Sequence, residues 1–144
     1  FTAYSEGWGL YAESLGKELG MYEDPMDYFG ALSDELWRAI RLVTDTGIHA
    51  KGCTRQEVLD YMQANSAASE TRRVQEAERF MAIPGQALAY KVGQLKMRDI
   101  RAGAEQRLGD KFDVKAFHTQ VLKDGAMPLS MLEAKIDRWV DGQL

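Results

Sequence analysis

Apolar residues recur along this chain at the spacing of α-helices, and the alternating pattern of β-strands is almost absent. Near the start, Tyr4, Trp8, Tyr11, Leu15 and Leu19 follow one another at intervals of three or four residues and form one apolar stripe. Hydrophobic residues make up 45% of the 144 residues, which is enough to build a packed core. The sequence therefore predicts a single all-α region over residues 1–144.

Start and stop signals divide the chain into about seven helices. Gly20 and Asp24-Pro25 end the first helix, and Thr54 with Glu57 forms a capping box that opens the third. The second helix has an apolar stripe of Phe29, Leu32, Leu36, Ile40 and Val43, and it ends near residues 47–52. The remaining predicted boundaries are 55–65 for the third helix, 70–82 for the fourth, a break at Pro84-Gly85, a fifth helix to about Leu108, and starts at Asp113 and Pro128 for the last two.

The long fifth helix has apolar residues on two opposite sides. Leu88, Val92 and Leu95 share one side, and Met97 and Ile100 lie near the other. A helix that is apolar on two sides is normally buried on two sides. Either this helix is central within the chain, or one of its faces packs against polypeptide outside it. Because the chain also begins in patterned sequence without a methionine, we expect it to be a piece of a longer protein.

Composition excludes several classes of function. Lys and Arg total 18 against 22 Asp and Glu, so the net charge is −4 and a nucleic-acid partner is not expected. The single cysteine excludes an internal disulfide framework and multi-cysteine metal sites. No apolar run approaches the ~20 residues of a membrane span, and no secretory leader is visible. The nucleophile-elbow, P-loop, dinucleotide-binding and H-E-x-x-H motifs are absent as well.

The first helix presents Glu6 on the side opposite its apolar stripe. Glu13 and Lys17 lie within about 60° of Glu6 on the helical wheel, and a solvated acidic face is the ordinary interpretation. Gly7 and Gly9 argue against it, because each lowers helix propensity by about 1 kcal/mol relative to alanine. Gly9 would allow another helix or a bulky ligand to approach the carboxylate, and Glu6 is therefore a candidate metal ligand.

A denser polar set lies on the second helix, opposite its apolar stripe. Its members are Asp34, Arg38, Arg41, Asp45 and His49. Arg41–Asp45 and Asp45–His49 are both i, i+4 pairs, so Asp45 is predicted to hold His49 on one side and Arg41 on the other. A salt-bridged solvent face would give the same spacing. Because His49 lies near a helix end, we favour a histidine oriented by a carboxylate for proton transfer or oxyanion binding.

A third candidate cluster follows Pro84-Gly85, where unpaired backbone N–H groups at the start of a helix can attract an anion. Gln86 and Tyr90 are one turn apart on the same face, and Lys91 is adjacent. Tyr90 could donate its phenol to a tetrahedral intermediate. The alternative is an ordinary core tyrosine with a satisfied hydroxyl.

Two other reactive residues are assigned structural roles. His118 lies in an apolar run with no acidic partner at ligand spacing, which indicates a satisfied core histidine. Cys53 has no histidine at motif spacing and only Arg55 as a basic neighbour, which argues against a catalytic thiol.

Four blocks of the sequence resemble one family over essentially the whole chain. They are YSEGWGLYAE (4–13), ELWRAIRLVTDTGIHAKG (35–52), PGQALAYKVGQL (84–95) and FHTQVLKDGAMPLSMLE (117–133). The chain resembles the C-terminal portion of the bacterial domain-of-unknown-function 885 family, whose members resemble zinc-dependent peptidases of the gluzincin type.

The resemblance implies roles for individual residues. An upstream helix of the H-E-x-x-x-G-H or H-E-x-x-H type would supply two histidine ligands and a general-base glutamate, and Glu6 of the EGW block would be the third zinc ligand. Tyr90 and His49 are then the candidates for oxyanion binding. Arg38, Arg41 or Lys91 would bind a substrate carboxylate, which would make the enzyme a carboxypeptidase or dipeptidase. Gln86 would contact the substrate. Asp45 and Glu13 would orient the residues that contact the metal or the substrate, without touching either themselves.

The resemblance also implies limits. Because the chain lacks two ligands and the base, we expect it to bind zinc weakly or not at all and to be inactive alone. Its expected partners are a peptide substrate and the missing N-terminal part of the same chain. By family analogy the location is the bacterial envelope or periplasm, with the cytoplasm as the alternative. The competing hypotheses are a family member that binds peptides without cleaving them and a free-standing helical interaction domain.

Overall fold

The computed structural model describes residues 1–144 as seven α-helices with no β-strand, which confirms the all-α prediction. Two short 3₁₀ turns, Gln86–Leu88 and Gly109–Lys111, flank the fifth helix. No helix has both the length and the apolar character needed to cross a membrane. The helices are α1 (Thr2–Glu18), α2 (Pro25–Lys51), α3 (Arg55–Asn65), α4 (Glu70–Ala82), α5 (Ala89–Leu108), α6 (Val114–Leu122) and α7 (Leu129–Asp141).

The two predicted caps, on α3 and α6, form, and Asp24, which was predicted only to end α1, also caps α2. Asp24 accepts a hydrogen bond from the backbone of α2, Thr54 and Glu57 complete a capping box on α3, and Asp113 caps α6. The start of α5 differs from the prediction. Gly85 has a φ of 79°, and a 3₁₀ turn precedes the α-helix, which begins only at Ala89.

The closest helix contact in the molecule joins α1 and α5, which run in the same direction. A Cβ atom added to Gly93 would lie 2.6 Å from the Cα atom of Gly7 and would also collide with the backbone oxygen of Ala3. Further along, the Gln94 amide donates a hydrogen bond to the Leu10 carbonyl at 3.2 Å. Two facing glycines therefore allow the backbones of α1 and α5 to touch.

The core consists of two separate clusters. The first joins α1 and α5 to α6 and α7, and the second joins α2 to α3, α4 and the 3₁₀ turn before α5. Members of the first cluster include Tyr4, Tyr11, Met97, Phe117, Leu132 and Ile136, and members of the second include Trp37, Ile40, Val58, Met62 and Phe80.

Two apolar stripes that the sequence singled out are not buried in this chain. On α2, only Ile40 of the predicted stripe is buried, whereas Leu36 and Val43 are each 49% exposed. On α5, Val92 and Leu95 are 45% and 49% exposed, while Met97 on the opposite side is buried against α1. The fifth helix is therefore covered on one of its two apolar sides. The burial expected of the α2 stripe is wrong, because α3 and α4 pack on the side of α2 that holds Trp37.

His118 is half-buried and packs against aromatic rings of the first core cluster, which fits the predicted structural role. Its Nε2 atom lies 2.8 Å from the hydroxyl of Tyr11, and Arg101 donates to the same hydroxyl at 3.2 Å. Burial lowers the pKa of His118, and the positive charge of Arg101 lowers it further, against a smaller opposing effect of Glu18. The folded state therefore favours neutral His118, which shares a hydrogen bond with the Tyr11 hydroxyl.

This lowered pKa predicts how stability depends on pH. The unfolded chain binds a proton at His118 more readily than the folded one, so this contribution is present above the ordinary histidine pKa of about 6.5 and is lost as the pH falls below it. We expect urea midpoints to fall between about pH 7.5 and about pH 5.5, and to fall less in His118→Gln. An equal fall in both proteins would contradict the assignment.

Candidate functional site

Glu6 lies near the start of α1, next to the point where α1 and α5 touch. Its side chain is half-buried, and its carboxylate makes no hydrogen bond or ion pair with this chain. The helix approach expected at Gly9 takes place at Gly7 instead, where an added Cβ would lie 2.5 Å from the carbonyl carbon of Gly93. A Cβ atom added to Gly9 would have no other atom within 4 Å. The surface beside Glu6 is therefore bare on the side of Gly9.

The predicted bridging role of Asp45 is wrong. Asp45 is buried, and both of its carboxylate oxygens accept from the Gly85 backbone N–H at 3.1 Å. Neither His49 nor Arg41 hydrogen-bonds to it. The turn before α5 brings a backbone donor to Asp45 that spacing within α2 could not reveal. Asp45 therefore fixes the Pro84-Gly85 turn against α2, and the anion expected at this turn is a carboxylate of the protein itself.

His49 is oriented by α4. Its Nε2 atom lies 2.8 Å from the Phe80 carbonyl oxygen, which can only accept, so the imidazole donates from Nε2. The ring is otherwise exposed at the C-terminal end of α2. No hydrogen bond joins His49 to Tyr90, and the structure does not bring these two oxyanion candidates into contact.

Arg41 is buried between two aromatic rings. Its guanidinium carbon lies 4.9 Å from the centre of the Tyr90 ring and 6.0 Å from that of Phe80, and its Nη2 atom donates to Glu76 at 2.8 Å. Burial lowers the pKa of Arg41, and the nearby carboxylate of Glu76 opposes that effect. The Nε–H group of Arg41 is buried with no hydrogen-bond partner. The guanidinium group of Arg41 therefore packs against the ring of Tyr90.

A chain of hydrogen bonds from α4 orients Tyr90. Arg79 donates to Glu76 at 2.8 and 3.0 Å and to the Gln86 side-chain oxygen at 2.8 Å. The Gln86 amide nitrogen in turn lies 3.4 Å from the Tyr90 hydroxyl and donates to it. Tyr90 is thus an acceptor in this chain of contacts, and its own hydroxyl proton has no acceptor within the protein.

Glu76 and Arg79 were missed in the sequence, where α4 looks like a charged surface helix. Burial acts to raise the pKa of Glu76, but hydrogen bonds and charge from Arg79 and Arg41 outweigh it and lower the pKa. The only feature of the sequence that indicated an ion pair here was the i, i+3 spacing of Glu76 and Arg79. Spacing alone could not show that this pair faces α2 and Gln86.

The other predicted cations already have partners. The Lys91 ammonium is half-buried and lies 2.6 Å from Glu35 and 2.8 Å from the Gln94 side-chain oxygen. Arg98 contacts the same Glu35 carboxylate at 3.2 Å. Lys91 therefore joins α5 to α2 within the protein.

Arg38 lies closer to the surface. It contacts the Asp34 carboxylate at 3.1 Å and lies 3.9 Å from the carboxylate of Glu13 on α1. Arg38 on α2 and Glu13 on α1 therefore face each other where the two helices meet. The predicted substrate-binding residues Arg41 and Gln86 both lie next to Tyr90, the predicted oxyanion donor, whereas Arg38 faces α1.

The chain does not contain a complete metal site. No group of three or more His, Cys, Asp or Glu side chains is arranged to hold a metal ion. Glu6 is a single carboxylate, and both histidines already hydrogen-bond within the protein. Residues of this chain alone therefore do not fit a zinc ion.

One family model and a solved structure match the chain. Among curated proteins no significant match is found. Among solved structures, the chain matches "the putative lipoprotein from Colwellia psychrerythraea" with a TM-score of 0.97 and 49% sequence identity, over 99% of this chain and 24% of that one. The chain thus spans about a quarter of that structure. A family model for bacterial proteins of unknown function matches residues 1–136. The chain belongs to this family, DUF885.

Proposed function

We propose that the chain is the C-terminal part of a zinc-dependent peptidase, in which Glu6 supplies one metal ligand and Tyr90 contacts the substrate. The observation that supports this best is the Glu6 carboxylate. It is half-buried on a rigid helix, it has no partner in the chain, and Gly9 leaves the space next to it open. A carboxylate held in this way is suited to coordinate a cation supplied with other ligands.

The other ligands in this proposal come from outside residues 1–144, because the chain alone does not fit a zinc ion. We therefore assign no step of peptide cleavage to the metal and none to this chain in isolation. In the full-length protein, meaning the family-length polypeptide that contains these residues, the exposed faces of α2 and α5 would be covered by the preceding part of the chain.

Tyr90 would act on the oxygen of the substrate carbonyl. Gln86 donates to its hydroxyl, so the Tyr90 proton points away from Gln86 and is free for a ligand. A phenol fixed in this way stabilises an oxyanion as charge develops on it. Arg41 and Arg79 hold the ring and the Gln86 amide in place.

The substrate class follows from the arginines. Arg38 is the most accessible of the three predicted carboxylate binders. It contacts Asp34 of its own helix at 3.1 Å, and its contact with Glu13 at 3.9 Å is long enough to exchange for a ligand. Binding of a free peptide C-terminus there would give a carboxypeptidase that acts on peptides longer than two residues. Lys91 is not part of this proposal, because its ammonium group already donates hydrogen bonds to Glu35 and Gln94.

The location proposed for the full-length protein is the bacterial cell envelope. Its support is the description of the matched Colwellia structure as a lipoprotein, together with the 49% identity of the two chains.

Tyr90→Phe in the full-length protein tests the proposed chemistry. We expect kcat for peptide hydrolysis to fall about 100-fold or more with little change in KM, because the lost hydrogen bond acts mainly in the transition state. Tyr61→Phe, on the exposed side of α3, is the matched control and should keep wild-type kinetics. Unchanged kcat in Tyr90→Phe would remove Tyr90 from the mechanism. Peptide binding without any hydrolysis by the wild type would favour the non-catalytic alternative.

A further inference from the structure

A small cavity lies between α1, the turn after it, the start of α2 and α5. Its volume is about 110 Å³. Leu10, Ala31 and Leu32 supply aliphatic surface, and the rings of Tyr22 and Tyr28 supply aromatic surface. No step of the proposed chemistry uses this cavity.

The wall of the cavity depends on a glycine. Tyr22 lies against Gly16 so closely that an added Cβ would be 2.8 Å from the Tyr22 hydroxyl oxygen. The same hydroxyl donates to the Glu13 carbonyl at 3.2 Å. Tyr22 and Tyr28 pack with ring centres 5.5 Å apart, and the Lys17 ammonium lies 4.9 Å from the centre of the Tyr28 ring. Tyr22 thus packs so closely on α1 that a side chain at residue 16 would displace its ring.

Most of the charged groups at the rim have partners, whereas the Glu13 carboxylate has only its long contact with Arg38 at 3.9 Å. Glu35 is bound by Lys91 and Arg98, and Lys17 lies over Tyr28. The surface open to a ligand is the aliphatic and aromatic surface together with the Glu13 carboxylate at the rim. An apolar cavity of about 150 Å³ accepts benzene, so a space of about 110 Å³ suits one aliphatic side chain and is too small for a whole cofactor.

The cavity lies on the same face of α1 as Glu6. Leu10, Glu13 and Lys17, which line it, follow Glu6 by four, seven and eleven residues and stay within about 40° of it on the helix. At about 1.5 Å per residue, the cavity is about 6 to 16 Å from Glu6 along the helix axis. An extended peptide covers that distance in about two to five residues.

We propose that this cavity is a specificity subsite that binds one aliphatic side chain, of about leucine size, a few residues from the bond that is cleaved. The proposal rests on the proposed function for its place along a substrate. The cavity and the contact of Tyr22 with Gly16 do not depend on whether cleavage occurs.

Binding of small probes to the full-length protein tests the subsite directly. N-acetyl-leucine amide should bind at least about 10-fold more tightly than N-acetyl-glycine amide, with chemical-shift changes at the Tyr22 and Tyr28 rings. Ala31→Phe fills the cavity and should remove this preference. Gly16→Ala, which displaces Tyr22, should weaken it. Gly30→Ala is the control, because a Cβ at Gly30 meets nothing within 4 Å.

The same variants separate this proposal from the proposed function. If the wild type cleaves peptides, Ala31→Phe should lower kcat/KM at least about 10-fold for peptides with leucine at the matching position, and not for those with glycine there. If it cleaves no peptide but still prefers the leucine probe, the peptidase proposal fails and the subsite stands. Equal binding of the two probes by the wild type, or an unchanged preference in Ala31→Phe, would overturn the subsite.

Discussion

Replacing Gly93 with alanine should cost about 3 kcal/mol or more of local stability, one of the two largest effects we expect from a single substitution. The new Cβ would meet the backbone of Ala3 and Gly7, and neither contact can be relieved by rotating a side chain. The helices would have to separate, and α1 would lose its fixed position. Hydrogen exchange of α1 and α5 amides, followed by mass spectrometry in the full-length protein, should become about 100-fold faster.

A second glycine on the same helix provides the control. Gly103 has nothing within 4 Å of an added Cβ, so Gly103→Ala should leave exchange unchanged or slow it, since alanine favours a helix by about 1 kcal/mol. Equal exchange rates in the two variants would show that the Gly7–Gly93 contact does not hold α1 on α5.

Glu6→Ala should abolish zinc retention and peptide hydrolysis in the full-length protein while leaving the fold unchanged. The loss of function follows from the proposed role of Glu6 as a metal ligand. The unchanged fold follows from the structure, because the carboxylate has no partner in this chain. The free energy of unfolding of the metal-free protein should stay within about 0.5 kcal/mol of wild type.

The control for this substitution is Glu23→Ala, an exposed acid in the turn between α1 and α2. It should keep full zinc content, measured by elemental mass spectrometry, and full activity. Wild-type zinc content in Glu6→Ala would refute the ligand assignment. Strong destabilisation of the metal-free Glu6→Ala protein would instead indicate a structural role for this carboxylate.

Local signals made the helices predictable. Caps such as Asp24, Thr54 with Glu57, and Asp113 act within one turn of the backbone, so their effect can be inferred from neighbouring residues alone. The start of α5 was less predictable. After Pro84-Gly85 the chain forms a 3₁₀ turn, and Asp45, 40 residues earlier, binds the Gly85 amide.

Side-chain partners in the site were harder to predict, because donors from other elements compete with helical neighbours. Spacing predicted that Asp45 would hold His49, but the Gly85 amide reaches Asp45 and the Phe80 carbonyl reaches His49. Both competing groups are backbone atoms on segments far away in sequence. Spacing did place Gln86 one turn from Tyr90, and these two side chains do make contact.

The exposed face of α2 shows a further limit of pattern analysis. A stripe that includes Leu36 and Val43 predicts which side of a helix avoids water, but not which polypeptide covers it. In this chain α3 and α4 cover the neighbouring side instead, around Trp37 and Ile40. The chain matches only 24% of the length of the Colwellia structure, so most of that protein lies outside the region of similarity.

A zinc-edge anomalous diffraction map of the full-length protein is the most direct test of the central proposal. We predict one peak beside the N-terminal part of α1, about 2.0–2.2 Å from a carboxylate oxygen of Glu6, with nitrogen ligands from residues outside this chain. A bound zinc ion far from Glu6, or a Glu6 side chain that contacts only solvent while the metal is fully coordinated elsewhere, would contradict it.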